Sequence, residues 1–400
     1  MSSESQPAGG ALLGALDSET AHHPQPMYAM LRENAPVMKD EATGVVVSRA
    51  SDIERILQDP ELFSSGKGAP SFGNVRPMIP LQIDPPEHRS YRKLLNPLFS
   101  LQRMAELEES MALLVNELID AFIDDEEIDF VSQFSQVFPS QVFLTMLGLS
   151  MDELPQLLEM KDGIIRPHLK VGAEMFSPEA NAYRDATGLK VYEYFSRVLD
   201  RREPGGEDLL SRLLETEIDG ERLSREDVLD VCFVFLIAGL DTVSASLECF
   251  YSYLADHPAF RAEILRDPSS IPSVVEELLR WESPVMVVGR TATADTEIGG
   301  CPVAAGEQIL LIIGSANTDD EAIEGAQEVR WDRTPNRHVA FGGGIHRCLG
   351  SHLARLELLV ALREWHARIP HYQIKPGFAL EFTPGIRSLE TFPLVLGVSS

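Results

Sequence analysis

Four hundred residues, 44% hydrophobic and 24% charged, exclude both a peptide-sized module and a wholly disordered chain. A formal net charge of −28, from 62 acidic and 34 basic residues, excludes a general binder of nucleic acid or of an anionic membrane surface. Four scattered cysteines (Cys232, Cys249, Cys301, Cys348) do not make a disulfide framework. Met1 to Gly10 has no basic-then-apolar leader, so the expected setting is the reducing cytoplasm, with no membrane anchor ahead of Met1.

Residues 1–20 are small and polar and read as a flexible tail. Gly44 to Ser48, with three consecutive valines, reads as a strand. Asp84-Pro-Pro-Glu87 reads as a helix start, with Asp84 as N-cap and Glu87 completing a capping box. His88 and Arg92 then share one face. Apolar residues recur at three and four from Arg103 to Ile123, and again across 152–165, 178–202, 208–216 and 225–255, predicting helices. Gly205-Gly206 and Asp219-Gly220 punctuate them. Ile309 to Ile313 and Phe392 to Val398 read as short strands, and Ser351 to Arg368 as a helix stopped by Pro370. No repeat and no β-α-β alternation is visible. The expectation is a single, mainly α domain with small β-sheets over residues 21–400.

Chemistry concentrates in Phe341-Gly-Gly-Gly-Ile-His-Arg-Cys-Leu-Gly350. Three glycines admit close approach of backbone to a bulky, flat partner. Cys348 stands at a predicted helix N-terminus beside His346 and Arg347, where amides and positive charge favour a thiolate. A thiolate ligates soft metal or haem iron. It is also a nucleophile, with His346 or His352 as a possible base. No Gly-Lys-Ser/Thr follows for a phosphate loop, and no second cysteine lies at zinc-ligand spacing. In the apolar run from Val231 to Leu240 the text turns polar at Asp241-Thr242. That is either a helix emerging into water or a buried acid that needs a partner. Glu277 and Arg280 lie at i, i+3 on one helix face, and Glu276 and Arg280 at i, i+4.

Phe341-x-x-Gly344-x-x-x-Cys348-x-Gly350 resembles the haem-binding loop of the cytochrome P-450 family, the haem-thiolate monooxygenases, in its soluble bacterial form. The resemblance runs from about residue 20 to the end, with its motifs in family order. It implies the family fold, with haem b (iron protoporphyrin IX) buried between the Asp241-Thr242 helix and the helix after Cys348. Cys348 would be the axial thiolate ligand. Phe341, Gly342, Ala354 and Ala238 would line the haem, and His88, Arg92, Arg290 and His346 would bind its propionates. Asp241 and Thr242 would deliver protons to dioxygen. Glu277, Arg280 and Arg333 would form a buried ion-pair set.

By the same likeness, Met78, Ile79, Ile237, Val287, Val288 and Leu389 would line a pocket for a hydrophobic small molecule. Arg76, Arg166 and Arg387 could anchor an acid group on it. The implied reaction inserts one oxygen atom by hydroxylation or epoxidation. A peroxide-using hydroxylase, a non-catalytic haem sensor and a Cys/His hydrolase are the competing classes, and Asp241-Thr242 favours the monooxygenase. No reductase domain follows Ser400, so electrons are expected from a separate iron-sulfur ferredoxin with its reductase. Residues 331–370 carry +3 and residues 81–105 carry +2 on a remainder of −33, a basic island suited to an acidic partner. Arg89, Lys93, Arg337, Arg347 and Arg355 are its expected surface.

Overall fold

The computed structural model of the chain describes residues 18–40, 44–174, 177–202, 205–218 and 221–397. The expected tail falls mostly on residues 1–17 and the Asp219-Gly220 turn on 219–220, all outside the described residues, while Ser18–His22 is a short helix and not tail. The architecture is mainly helical with small sheets, as its sequence pattern implies.

The longest helices follow the apolar periodicity: Pro178–Asp200, Arg225–Gly239, Thr242–Asp256 and Ser351–Arg368. Two predicted helices are divided. The 103–123 stretch becomes Leu101–Ala105 and Glu108–Asp120, and the 225–255 stretch breaks at Leu240-Asp241. The span Arg225–Asp256 is long and apolar enough to cross a bilayer, but most of it is buried inside the protein, as befits a core helix. Around it one hydrophobic cluster gathers residues from Ala21 to Leu394. Its centre is aromatic: Trp365 meets Phe130, Phe134 and Tyr251 at centroid distances of 5.2, 4.9 and 5.1 Å. These edge-on contacts fix the far end of the Ser351–Arg368 helix.

The largest sheet has five strands in the order Val37–Asp40, Gly44–Val47, Gln308–Ile312, Val287–Ala292, Phe63–Ser64. Ile309 pairs with Val45 in parallel and with Arg290 in antiparallel register. Val45, Val47, Ile309 and Leu311 pack on one face, and Val46, Leu310 and Ile312 on the other. Burial of both faces explains why these strands read as unbroken apolar runs without alternation.

The segment between Phe63–Ser64 and the helix Glu87–Leu95 is mostly irregular and is tied down at two places. Arg76 Nε donates to Asp230 Oδ2 at 2.8 Å, and Tyr192 Oη donates to Asp230 Oδ1 at 2.8 Å. Gly73 lies flat on the Pro178–Asp200 helix at Gly188, where an added Cβ would stand 1.9 Å from the Gly73 carbonyl oxygen. Gly188→Ala therefore has the opposite sign from an ordinary helix substitution, which would gain ~1 kcal/mol. Displacement of the Gly73 backbone should instead cost ~1–3 kcal/mol. Urea unfolding checks it, and an unchanged or raised midpoint would contradict the contact.

Candidate active site

The cysteine loop is closed by its own backbone. Cys348 N donates to the Phe341 carbonyl at 2.8 Å, and Gly342 N to the Val339 carbonyl at 2.8 Å. Gly344 has φ of +61°, and a Cβ there would stand 2.0 Å from the Leu57 carbonyl oxygen. Only glycine lets the loop rest on the helix Ala50–Gln58. The Cys348 side chain faces open space at the N-terminal end of the Ser351–Arg368 helix. Desolvation by the surrounding protein raises its thiol pKa. The Gly350 amide and the charges of Arg92, Arg347 and Arg355 oppose this without overcoming it. A bonded metal ion would hold the sulfur as the thiolate.

A cluster of basic side chains, two imidazoles and two guanidiniums, stands beside the cysteine loop. His88, from the helix Glu87–Leu95, meets His346 at a ring distance of 4.3 Å. Both nitrogens of His88 and Nε2 of His346 are buried without a hydrogen-bond partner among the described residues. Desolvation first, then neighbouring Arg92, lowers the His88 pKa to about 4. Desolvation, then His88 and Arg290, lowers that of His346 to about 3. Arg290 donates to the adjacent Gly289 carbonyl at 2.7 Å, and burial brings its pKa down to about 10. Arg92 donates to the Arg347 carbonyl at 3.0 Å, joining its helix to the cysteine loop. A Cβ on Gly289, Gly342 or Gly350 would meet nothing within 4 Å. Unpartnered donors around open space fit a large group that carries several acceptor oxygens, which describes haem and its propionates.

The expected N-cap role of Asp84 does not hold. Pro85 and Pro86 have no amide to offer it, and its carboxylate accepts from the Ser64 hydroxyl and from Ser65 N at 3.0 Å in place of the remaining Glu87 amide. The helix starts at Glu87 without a side-chain cap.

Asp241 is buried, not emerging into water. Lys161 Nζ donates to it at 3.0 Å, and Arg166 grips both oxygens at 2.8 to 3.1 Å. Desolvation would raise its pKa, but Lys161 and Arg166 outweigh that and hold the carboxyl below its ordinary value. The side chain is drawn sideways where the helix breaks. There Thr242 Oγ1 donates to the Ala238 carbonyl at 2.9 Å. Ala238 is exposed in an otherwise buried stretch, so the helix borders open space at this point. Neither Lys161 nor Arg166 carries a sequence signal linking it to Asp241.

Glu277, Arg280 and Arg333 come together. Arg280 bonds both Glu277 oxygens at 2.7 and 2.8 Å with both residues fully buried, and Arg333 Nε approaches Oε2 at 3.2 Å. Arg330 N and Asn336 Nδ2 complete the shell at 2.9 and 3.0 Å. Glu276 does not pair with Arg280. It accepts from Arg355 Nη2 at 2.8 Å and contacts His338 at 3.1 Å. Arg355, stacked over Phe341 at 4.4 Å, is therefore engaged and does not belong to a free basic surface. Ala354, beside it, packs half-buried against the main core.

Among the expected pocket residues, Met78, Ile79, Ile237 and Leu389 join the main core cluster, whereas Val287 and Val288 join two smaller ones. Adjacent strand residues point to opposite faces, so one pocket wall cannot use both valines. The three arginines considered for a substrate acid group are all taken: Arg76 by Asp230, Arg166 by Asp241 and Arg387 by Glu282.

A cysteine-tipped loop, unpartnered imidazoles and two arginines beside it and a broken helix bordering open space fit a haem-thiolate protein of mainly α fold. Residues 37–267 and 270–365 match the Cytochrome P450 family, and the chain belongs to that family. "Probable cytochrome P450 127A1" of Sinorhizobium fredii is 36% identical over 338 residues, 84% of this chain and 78% of that one. A steroid C26-monooxygenase of Mycolicibacterium smegmatis is 32% identical over 385 residues, 93% and 92% of the two chains. The crystal structure of CYP109E1 from Bacillus megaterium in complex with testosterone superposes with a TM-score of 0.87. It is 28% identical and covers 96% of this chain and 100% of that one. The protein is thus a P450 monooxygenase whose cofactor is thiolate-ligated haem b.

Glu277→Ala should strip two buried guanidiniums of their carboxylate and cost ~3–5 kcal/mol. Thermal melting should fall well below that of a surface Glu→Ala control. A change within a degree of the control would mean the ion-pair set does not hold the cysteine segment.

Proposed function

We propose that Cys348 is the axial ligand of the haem and that the chain inserts one atom of dioxygen into a steroid-sized hydrophobic molecule. The observation that carries this reading is the exposed Cys348 beside the buried, unpartnered ring nitrogens of His88 and His346, with the Arg290 guanidinium next to them. Haem b, when bound, supplies the activation of dioxygen. Phe341, Gly342, Ala238 and Ala354 border the group, and His88, Arg92, Arg290 and His346 hold its propionates. Thr242 holds a proton at Oγ1, and ionised Asp241 beside it accepts and passes protons on the distal side.

The substrate class follows from apolar Met78, Ile79, Ile237 and Leu389, and from the commitment of Arg76, Arg166 and Arg387 to internal carboxylates. The steroid C26-monooxygenase and the testosterone complex support the same class. The reaction is hydroxylation or epoxidation within one haem domain over residues 21–400. Free thiols at Cys232, Cys249, Cys301 and Cys348 suit a cytoplasmic setting.

Electrons come from a small acidic ferredoxin served by its reductase. Exposed Arg89, Lys93, Arg337 and Arg347 form the basic docking face, with Arg92 bonding Arg347 to bring two of the segments together. Charge complementarity there raises the association rate and weakens with salt.

Reduced protein under CO should show the strongly red-shifted Soret band of thiolate ligation, and Cys348→Ser should lose it. A globin-like band in fresh wild-type protein would refute ligation by Cys348. Arg347→Glu should slow the first electron transfer several-fold at low salt without altering substrate-induced spectral shifts. Reduction rates indifferent to both the reversal and ionic strength would exclude this face.

A further inference from the structure

Asp241, Ser244 and Glu248 stand at i, i+3 and i+7 and so share one side of the broken helix. All three border a single cavity of about 350 Å3, together with Lys161, Arg166 and Ser388. Its rim reaches the surface at exposed Ser132 and Glu390.

The three side chains differ in a way that packing alone does not require. Asp241 is held ionised by Lys161 and Arg166. Ser244 Oγ is buried with no hydrogen-bond partner among the described residues. A hydroxyl left so in a polar cavity of this size is a place for water. Glu248 is 2% exposed and accepts from Ser135 Oγ at 2.9 Å and from Leu389 N at 2.7 Å. Burial pushes its pKa up to about 8. The two hydrogen bonds and Arg166 pull it down, and the negative charge of Asp241 pushes it further up. The other charged groups on the cavity are Asp162, Lys170 and Glu390, toward the outside. Glu248 therefore carries a proton at neutral pH, while Asp241, two turns away, does not.

We propose that Asp241, Ser244 and Glu248 frame a water-filled proton route in which Glu248 is the internal acid that resupplies the distal Asp241–Thr242 pair. The inference rests on the reading that this pair handles protons. In each transfer the Glu248 O–H bond breaks and its proton passes through water and the Ser244 hydroxyl toward Asp241. The Glu248 carboxylate then takes a proton from bulk water entering between Ser132 and Glu390. No electron moves along the route, and the charge of the chain is restored. The overall reaction consumes two protons, two electrons and one dioxygen per oxygenated product and water, and the route supplies only protons. Glu248 touches neither substrate nor haem and acts through the water chain.

The buried acid also leaves a mark on stability. The folded chain keeps a proton on Glu248 that the unfolded chain releases above 4.5, the ordinary value for this carboxyl. Stability should therefore decline as pH rises from about 4.5 toward about 8, by this group's share.

The test compares wild type with Glu248→Gln, Ser244→Ala and Thr242→Ala. Glutamine can keep both contacts, accepting from Leu389 N and donating to Ser135 Oγ, but it cannot release a proton. Glu248→Gln and Ser244→Ala should preserve the substrate-induced spectral shift and the rate of first reduction. Product per NAD(P)H should fall several-fold, with the lost oxygen recovered as peroxide and a larger solvent isotope effect. Glu248→Asp should restore part of the coupling.

Independently of turnover, the infrared spectrum of wild type at neutral pH should contain a protonated-carboxyl C=O band that Glu248→Gln lacks. That band should bleach as pH rises through about 8, and the variant's melting temperature should depend less on pH over the same range. Absence of the band, or wild-type coupling and isotope effect in Glu248→Gln, overturns the route. If Thr242→Ala is uncoupled but Glu248→Gln is not, the distal reading stands and this route falls. If neither is uncoupled, both fall. Should Glu248→Gln not fold, Ser244→Ala decides, because its hydroxyl makes no hydrogen bond among the described residues; unchanged coupling there overturns the proposal.

Discussion

The position of the cysteine depends on one buried carboxylate. Between the short helix Ile313–Asn317 and the Ser351–Arg368 helix the chain runs through turns with little regular structure, so its carbonyls need partners from elsewhere. Arg280 supplies them to Asn317, Ala326 and Glu328, and Arg333 to Glu324, Gly325 and Glu328. Two guanidiniums can sit inside the protein only because Glu277 sits between them. From the same helix Glu276 reaches Arg355 and His338. The helix Ile271–Glu282 thus holds both the approach to the cysteine loop and the helix that leaves it.

The groups beside the cysteine loop and those at the helix break use charge in opposite ways. Beside the cysteine loop His88, Arg92, Arg290 and His346 gather two cations and two potential cations with only Asp84 nearby and, among the described residues, no carboxylate hydrogen-bonded to them, an arrangement suited to an anion. On the distal helix the carboxylate of Asp241 is matched in advance by Lys161 and Arg166 and needs no ligand. The first arrangement leaves buried ring nitrogens for an outside partner to satisfy. The second is satisfied within the protein, and it leaves Thr242 free to bond a carbonyl at the helix break.

The haem loop, the Glu-x-x-Arg pair and the longest helices were legible because each is local. Ten consecutive residues carry the loop, two residues separate Glu277 from Arg280, and helical periodicity repeats within a turn or two. Arg333 was legible only as a position ahead of Phe341, and its bond to Glu277 spans 56 residues. The reading of Asp84 as a cap failed because Ser64 and Ser65, about twenty residues upstream, take its carboxylate, and two prolines leave only the Glu87 amide to compete for it. The reading of Arg355 as surface failed because a charged residue on a helix gives no sign of which buried partner waits across the interface.

By itself the sequence determined the family, the ligating cysteine's candidate, the helical frame and the basic residues that gather beside the cysteine loop. These depend on residue type at short spacing, where chain geometry is nearly fixed. The tertiary structure alone decided which charges were matched. Lys161 and Arg166 meet Asp241 across 80 and 75 residues, and Ser135 meets Glu248 across 113. Whether a carboxyl is ionised or neutral depends on burial and on the sign of what lies within a few ångströms, and neither is a property of the residues next to it in the chain. Hence two acids on one helix face, indistinguishable in the text, became an ionised clamp at Asp241 and a neutral acid at Glu248.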